Sequence, residues 1–217
     1  GYYHPSGPLG ASVSALGPTG SVGVVGLGTG ALAACLELGQ EIVFHEIDPL
    51  VVEVAREEFT YLADSPGSVR IVLGDGRLTL SQVPDGYYDL LVVDAYSSDF
   101  IPLHLLTTQA FSLYLRKVKA EGVVLLHISN RHVDLPKVVK GNATALNIPV
   151  RIAIHTPSED AGAQGAQRVV VAALARTDDL LDDLGADTPL STWHPPAPTV
   201  EPVVWTDSRA SLVTILK

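Results

Sequence analysis

The order of apolar and polar positions along the chain predicts strands that alternate with helices. Short apolar runs rich in β-branched residues, typical of buried parallel strands, occupy 22–25, 42–44, 69–73, 88–93, 122–129, 150–155 and 168–175. Apolar positions at helical spacing predict helices over 31–38, 50–62, 77–82, 107–119, 134–146 and 177–184. This alternation is typical of an α/β fold with a mostly parallel, doubly wound sheet.

The composition of the two chain ends predicts how the domain is bounded. Residues 1–20 are rich in Gly, Pro and Ser, which predicts an N-terminal loop or lid. Residues 21–217 then form a single Rossmann-like catalytic domain, in which 192–202 is a Pro-rich connector and 203–216 a short tail with a strand near its end.

The stretch 21–48 has the pattern of strand, glycine turn, helix, second strand and acidic end. Gly26, Gly28 and Gly30 follow the first strand, where bare backbone permits a tight turn and the close approach of a ligand. Glu46 ends the second strand, a position from which a carboxylate accepts hydrogen bonds from a ribose diol. The stretch therefore predicts a site for a nucleoside-bearing cofactor.

Two further acidic residues follow later strands. Asp75, with Gly76 beside it, comes after the third strand, and Asp94 comes after the fourth. Because ligands of such sheets bind outside the carboxyl ends of the strands, we expect these groups and the glycine turn to share one crevice.

Composition narrows the function classes. The 217 residues are 47% hydrophobic and 18% charged, as in a globular domain, and the net charge of −10 argues against a nucleic-acid partner. A single cysteine, Cys35, excludes an internal disulfide and fits a reducing compartment. No apolar run is long enough to span a bilayer, no signal peptide is visible, and the lack of methionine indicates a processed chain or a piece of a longer one.

The histidines and small motifs admit ordinary structural interpretations. The seven histidines show no metal-ligand spacing, and His45 and His127, on predicted strands, fit buried core histidines. His104 follows the fourth strand in a loop that can line a pocket. The Asn142 sequon is discounted because nothing else indicates secretion.

The segments GLGTG, HEIDP, LGDG and VVDAYSSD, in this order and spacing, resemble the class I S-adenosylmethionine-dependent fold and, more narrowly, the spermidine synthase (polyamine aminopropyltransferase) family. YYHP near the start is similar to that family's segment before the glycine turn. SSDFIPLHLLTTQAF, LHISNRH and the terminal WTD resemble bacterial spermidine-synthase-like domains fused behind membrane segments.

The resemblance implies a role for each matching residue. Glu46 matches the ribose-binding glutamate, Asp75 the acceptor of the adenine amino group, and Asp94 the catalytic aspartate that acts as general base. The cofactor-binding positions it implies are Gly26, Gly28, Thr29, Gly30, Glu46, Ile47, Asp75, Gly76 and Asp94. The amine-binding positions are Tyr3, His4, Tyr96 and Asp99.

The resemblance also implies the reactants and the setting. The co-substrate is decarboxylated S-adenosylmethionine or S-adenosylmethionine, without a metal, and the partner is a small polyamine such as putrescine rather than nucleic acid. A homodimer is implied, as is a cytoplasmic location, with a tether to the inner face of the membrane if the parent protein carries membrane segments.

Two departures from the family pattern leave alternatives open. Thr29 stands where the family has an aspartate in the glycine turn, and Pro5 stands where it has a glutamate; the family's N-terminal strand domain is also absent. The neutral Thr29 favours an S-adenosylmethionine-dependent methyltransferase or another alkyl transfer. A nucleoside-sensing domain without turnover is a further alternative, and a nicotinamide dehydrogenase is disfavoured because it has no use for the Gly74–Gly76 segment.

Overall fold

A computed structural model describes the protein over residues 7–96, 102–156, 168–187 and 193–217. The strands are β1 Ser21–Val25, β2 Glu41–Glu46, β3 Ser68–Leu73, β4 Tyr88–Val93, β5 Val118–His127, β6 Val150–His155, β7 Val169–Leu174 and β8 Trp193–His194. The α-helices are α1 Pro8–Ser14, α2 Pro49–Glu57, α3 Gly76–Ser81, α4 Thr108–Lys117, α5 Leu135–Leu146 and α6 Asp178–Asp187. Short 3₁₀ helices cover Ala31–Cys35, Leu103–Leu106 and Leu212–Ile215.

The described strands form one sheet in the order β3-β2-β1-β4-β5-β7-β6-β8. Strands β1 to β5 are mutually parallel, whereas β7 runs antiparallel to both β5 and β6. The strand order reverses at β1, where Val25 pairs with His45 on one side and Val93 on the other. The predicted α/β class with a mostly parallel, doubly wound sheet is therefore confirmed, and the carboxyl ends of β1, β2 and β4 lie side by side.

The sheet is covered on both faces, so its central strands are buried throughout. Alternate residues of β1 point to opposite cores: Val22 and Val24 pack with α1 and α6, whereas Val25 packs with α4 and α5. Gly23 faces the same core as Val25, where a Cβ atom would come within 2.7 Å of the Tyr88 ring. The tyrosine thus takes the space that a side chain at 23 would need.

The segment predicted as an N-terminal loop is helical in part. Residues 8–14 form α1, which begins at Pro8 and buries Leu9 and Val13 completely. Proline suits the first turn of a helix, and residues four apart share a helix face, so burial of that face stabilises this short helix. The lid role of residues 1–6 and the domain boundary at residue 20 stay predictions.

Other boundaries differ from the prediction by local geometry. The helix expected over 31–38 is the 3₁₀ helix Ala31–Cys35, and the helix expected over 50–62 ends at Glu57. The predicted connector 192–202 contributes β8, which pairs with β6. The tail places Leu216 in an isolated bridge with Val133 rather than in a longer strand.

Candidate functional site

One cavity of about 850 Å³ opens at the carboxyl edge of the parallel strands. Its walls include residues that directly follow β1, β2, β3 and β4, because these strands end at the same edge. Among the residues predicted from sequence, those that line it are Gly26, Gly28, Glu46, Ile47, Asp75, Gly76, Asp94 and Tyr96. The volume falls in the range of small-molecule sites.

The glycine turn brings the backbone itself to the cavity. Gly26 has φ +98°, and a Cβ there would collide with the carbonyl oxygen of Asp94. Gly28 has φ +54° and open space around its missing Cβ. Gly26 is therefore required by the packing of β1 against β4, whereas Gly28 leaves room at the cavity wall.

Glu46 fixes the glycine turn to the end of β2. Its side chain is buried, with the residue 7% exposed, and its two oxygens accept from different backbone groups. Oε2 accepts from the Leu27 N–H at 2.8 Å, and Oε1 accepts from the Asp48 N–H at 2.9 Å. The carboxylate is thus oriented by two backbone donors before any ligand binds, which is pre-organisation for a binding site.

Asp75 is held in a similar way at the end of β3. Its Oδ1 caps α3 by accepting from the N–H groups of Arg77 and Leu78 at 2.9 and 3.0 Å. Its Oδ2 lies 3.2 Å from Nε2 of His104, which projects from the 3₁₀ helix Leu103–Leu106. His104 therefore lines the cavity and contacts one of its carboxylates.

Asp94 is paired with a histidine that the sequence interpretation placed in the core. Oδ1 of Asp94 lies 2.7 Å from Nδ1 of His127, and the two side chains are only 6% and 5% exposed. Nε2 of His127 lies 2.8 Å from Oγ of Ser129. Both His127 and Ser129 line the cavity. The sequence did not predict their place in the cavity, because it depends on β5 lying beside β4.

Tyr96 stabilises the end of β5 as well as lining the cavity. Its hydroxyl donates to the backbone carbonyls of His127 and Ser129, at 2.9 and 3.1 Å. Its ring lies 5.1 Å from the His127 ring, centroid to centroid. A role in amine binding stays a prediction.

The terminal WTD segment has a structural explanation. Asp207 makes a bidentate ion pair with Arg77 at 2.8 and 2.9 Å and accepts from the Thr107 hydroxyl at 2.7 Å. These contacts, the Arg77 bond first, lower the pKa of Asp207 to about 2. Arg77 also donates to the carbonyl of His104. The segment thereby ties α3 to the 3₁₀ helix that contacts Asp75.

The structure confirms His45 as a buried core histidine and shows that Asn142 is buried as well. His45 is buried between the Thr79 hydroxyl, 2.9 Å from Nδ1, and the Tyr88 hydroxyl, 3.0 Å from Nε2. Burial, with a smaller contribution from Arg70, lowers its pKa to about 4. Asn142 is fully buried and bonds the backbone of Leu106 and Trp205, so folding makes the sequon inaccessible.

Two predicted site residues in the described part of the chain are not among the residues that line the cavity. Thr29 and Gly30 follow the turn outside the described lining, and Gly30 (φ +77°) approaches Leu62 instead. Tyr3, His4 and Asp99 lie outside the described residues.

Positively charged and neutral polar side chains line a further part of the cavity. They come from the segment after β5 and from the residue before β7: Asn130, Arg131, His132 and Arg168. Arg131 and Arg168 are exposed. The cavity therefore combines carboxylates after β2, β3 and β4 with cationic groups after β5.

Within the described ranges, no cluster of three or more His, Cys, Asp or Glu side chains is arranged to hold a metal ion. Among the helices of the same ranges, none is long and apolar enough to cross a bilayer.

Known proteins are similar to this chain over part of its length. No protein-family model matches the chain. A probable polyamine aminopropyl transferase from Bifidobacterium longum is 29% identical over 109 residues, which is 49% of this chain and 23% of that protein. Putrescine N-methyltransferase 4 from Nicotiana tabacum is 33% identical over 87 residues, which is 39% of this chain and 22% of that protein.

The fold has a solved counterpart. A probable spermidine synthase from Corynebacterium glutamicum superposes with a TM-score of 0.63 at 12% identity, covering 94% of this chain and 82% of that one. The chain thus resembles a polyamine aminopropyl transferase over about half of its length, and it shares its α/β fold with a spermidine synthase and with a TehB-like S-adenosylmethionine-dependent methyltransferase. The matched region spans about a quarter of the Bifidobacterium relative's length.

Proposed function

We propose that the protein moves an aminopropyl group from decarboxylated S-adenosylmethionine to a polyamine such as putrescine, with Asp94 as general base. The observation that carries this proposal is the shared cavity, to which four parallel strands contribute the glycine turn, Glu46, Asp75 and Asp94. The likeness to an aminopropyl transferase and to a spermidine synthase supports it.

In this proposal the adenosyl group lies between β1, β2 and β3. Glu46 accepts from the ribose hydroxyls, since its oxygens are already oriented by two backbone donors. Asp75 accepts from the adenine amino group, with Gly76 and Ile47 beside the base. Gly26 and Gly28 give the sulfur-bearing arm a wall without side chains.

The reaction needs a neutral amine beside a sulfonium. Freeing an amine with a pKa near 10.4 from its proton at pH 7 costs about 4–5 kcal/mol. The nitrogen attacks the carbon next to sulfur, an N–C bond forms, and the C–S electrons leave on sulfur as a neutral thioether. Asp94 takes the amine proton, and such base assistance contributes roughly 10²–10⁴-fold. Tyr3, His4, Tyr96 and Asp99 are the proposed contacts of the amine.

A second candidate is methyl transfer from S-adenosylmethionine to an amine. The neutral Thr29 in the glycine turn favours it, as does the likeness to a putrescine N-methyltransferase. S-adenosylmethionine retains a carboxylate, for which Arg131 and Arg168 on the cavity wall are suitable partners. The same Asp94 serves as base in both reactions.

The setting of the enzyme is part of the proposal. The resemblance to domains fused behind membrane segments supports a cytoplasmic domain tethered to the inner face of the membrane, acting as a homodimer. The single cysteine fits a reducing compartment.

One assay separates the candidates. The protein is incubated with decarboxylated S-adenosylmethionine or S-adenosylmethionine, each with and without putrescine, and the nucleoside products are identified by mass. Methylthioadenosine formed only with the amine supports aminopropyl transfer, and S-adenosylhomocysteine formed only with the amine supports methyl transfer. Neither product contradicts both and favours a nucleoside-sensing domain. Asp94→Asn is expected to bind nucleoside normally but to transfer roughly 10²–10⁴-fold more slowly, which leaves a residual rate that can be measured. Normal turnover would contradict the base assignment.

A further inference from the structure

The pairing of β4 with β5 places a histidine directly beside the proposed base. Val93 and Leu126 are partners in the parallel register, so the next residues, Asp94 just after β4 and His127 at the end of β5, lie side by side. The resulting contact of 2.7 Å between Oδ1 and Nδ1 is among the short hydrogen bonds expected when one partner is charged. Both side chains are at least nine-tenths buried, so water competes little for this bond.

The surroundings of the imidazole decide which nitrogen carries the proton. Oγ of Ser129 accepts from the Val170 N–H at 2.8 Å, which leaves the serine hydroxyl hydrogen to point elsewhere. That hydrogen suits a bare Nε2 of His127 at 2.8 Å. A bare Nδ1 would instead set its lone pair against the lone pairs of Oδ1 of Asp94, 2.7 Å away. The network therefore selects the form of His127 that donates from Nδ1 to Asp94.

The histidine is also prevented from turning away. The Tyr96 hydroxyl donates to the backbone carbonyls of His127 and Ser129. The Tyr96 ring also packs against the imidazole of His127. The His127 imidazole is thus held at both ring nitrogens, and it holds the Asp94 carboxylate in one orientation. Residues behind the ligands of metal sites orient those ligands in the same way.

We propose that His127 is a positioning residue for Asp94, and that Ser129 fixes its tautomer. Rotation of the Asp94 carboxylate is restrained through Oδ1, so that Oδ2 receives the amine proton during transfer. This inference rests on the proposed function, since it assigns how the base of that reaction is oriented. It applies equally to aminopropyl and methyl transfer, because both remove a proton from the attacking nitrogen.

The test compares two replacements of His127 in two backgrounds. His127→Leu removes the donor and is expected to lower kcat by about 10–100-fold while the affinity for methylthioadenosine changes by less than about twofold. His127→Asn keeps a side-chain N–H near the position of Nδ1 and is expected to recover most of the lost rate. Ser129→Ala, which removes only the tautomer constraint, is expected to have an intermediate effect.

The Asp94→Asn background separates positioning from general support of the fold. If His127 acts through Asp94, His127→Leu has little further effect once Asp94 is Asn, because coupled groups are not additive. Equal rate losses in both backgrounds, or a parallel loss of nucleoside affinity and thermal stability, would overturn the inference. Absence of turnover in the unmodified protein with either donor would instead overturn the proposed function.

A measurement that needs no turnover tests the same geometry. Nitrogen-15 NMR of the full chain, with the His127 signals assigned by their loss in His127→Asn, reports which ring nitrogen is protonated. A proton on Nδ1 is expected in the unmodified protein, and a mixture of forms in Ser129→Ala. A single Nε2–H form in the unmodified protein would overturn the inference whatever the activity assay shows.

Discussion

Replacing Glu46 by Gln tests whether one carboxylate both stabilises the fold around the cavity and binds the ribose of the nucleoside. The carboxylate accepts from two backbone N–H groups, at 2.8 and 2.9 Å, in a nearly closed environment. A glutamine has one oxygen, so its amide NH₂ group would face one of those donors. Losing a hydrogen bond to a charged group costs about 1.5–3 kcal/mol, and an unsatisfied buried donor about 1–3 kcal/mol. We expect the free energy of unfolding to fall by about 2–4 kcal/mol, since the two contributions overlap.

The assay pairs urea denaturation with calorimetric titration of methylthioadenosine at a temperature where both proteins are folded. The Gln variant is expected to bind at least about tenfold more weakly, because the ribose loses a charged acceptor. Asp48→Asn is the matched control: it removes a negative charge at the same cavity wall but retains the oxygen that accepts from Leu50 N–H. It should change stability by less than about 0.5 kcal/mol. Unchanged stability and affinity in Glu46→Gln would refute the reasoning.

Three further predictions use single substitutions. Gly26→Ala is expected to unfold the glycine turn, because its Cβ would meet the Asp94 carbonyl. Gly28→Ala should fold with about 1 kcal/mol of backbone strain and should bind nucleoside more weakly. Equal melting temperatures for the two variants would contradict this prediction. His45 has a folded-state pKa of about 4 against 6.5 unfolded, so its contribution to stability is complete above pH 6.5 and is lost as the pH falls to about 4. Over that interval the unmodified protein should lose up to about 3 kcal/mol more than His45→Gln in urea titrations, and parallel pH curves would contradict the assignment. Asp207→Asn should lower the free energy of unfolding by only about 1 kcal/mol at pH 6, since the ion pair with Arg77 is partly exposed. The difference from the unmodified protein should vanish as the pH falls from 3.8 through about 2, where Asp207 becomes protonated. A difference that persists at pH 2 would show that the ion pair is not its source.

Local sequence patterns were enough to predict the parallel sheet. Buried strands such as β1 and β4 are continuous apolar runs with β-branched residues, and helical spacing separates them. Helix α1 escaped prediction because it is only seven residues long and lies in a Gly- and Pro-rich segment. Its stability comes from burying Leu9 and Val13 against the sheet, which local propensity does not report.

Some residues of the candidate site could be predicted from local sequence patterns, whereas others depend on contacts between distant parts of the chain. Glu46, Asp75 and Asp94 could be predicted as neighbours because each lies at the carboxyl end of a parallel strand or within two residues of it. The partner of Asp94 could not, since it requires knowledge that β5 pairs with β4 in a particular register. The contact of Arg77 with Asp207 joins residues 130 positions apart and carries no local signal. The segment LHISNRH offered a usable hint, because it spans the carboxyl end of a buried strand.

The central claim is that the cavity at the strand ends binds an adenosyl group. A crystal structure of the protein grown with methylthioadenosine tests it most directly. The account predicts ribose hydroxyls within hydrogen-bond distance of the Glu46 carboxylate, the adenine amino group at Asp75, and the sulfur facing Asp94. A nucleoside bound at another surface, or a purine oriented with its amino group away from Asp75, would contradict it.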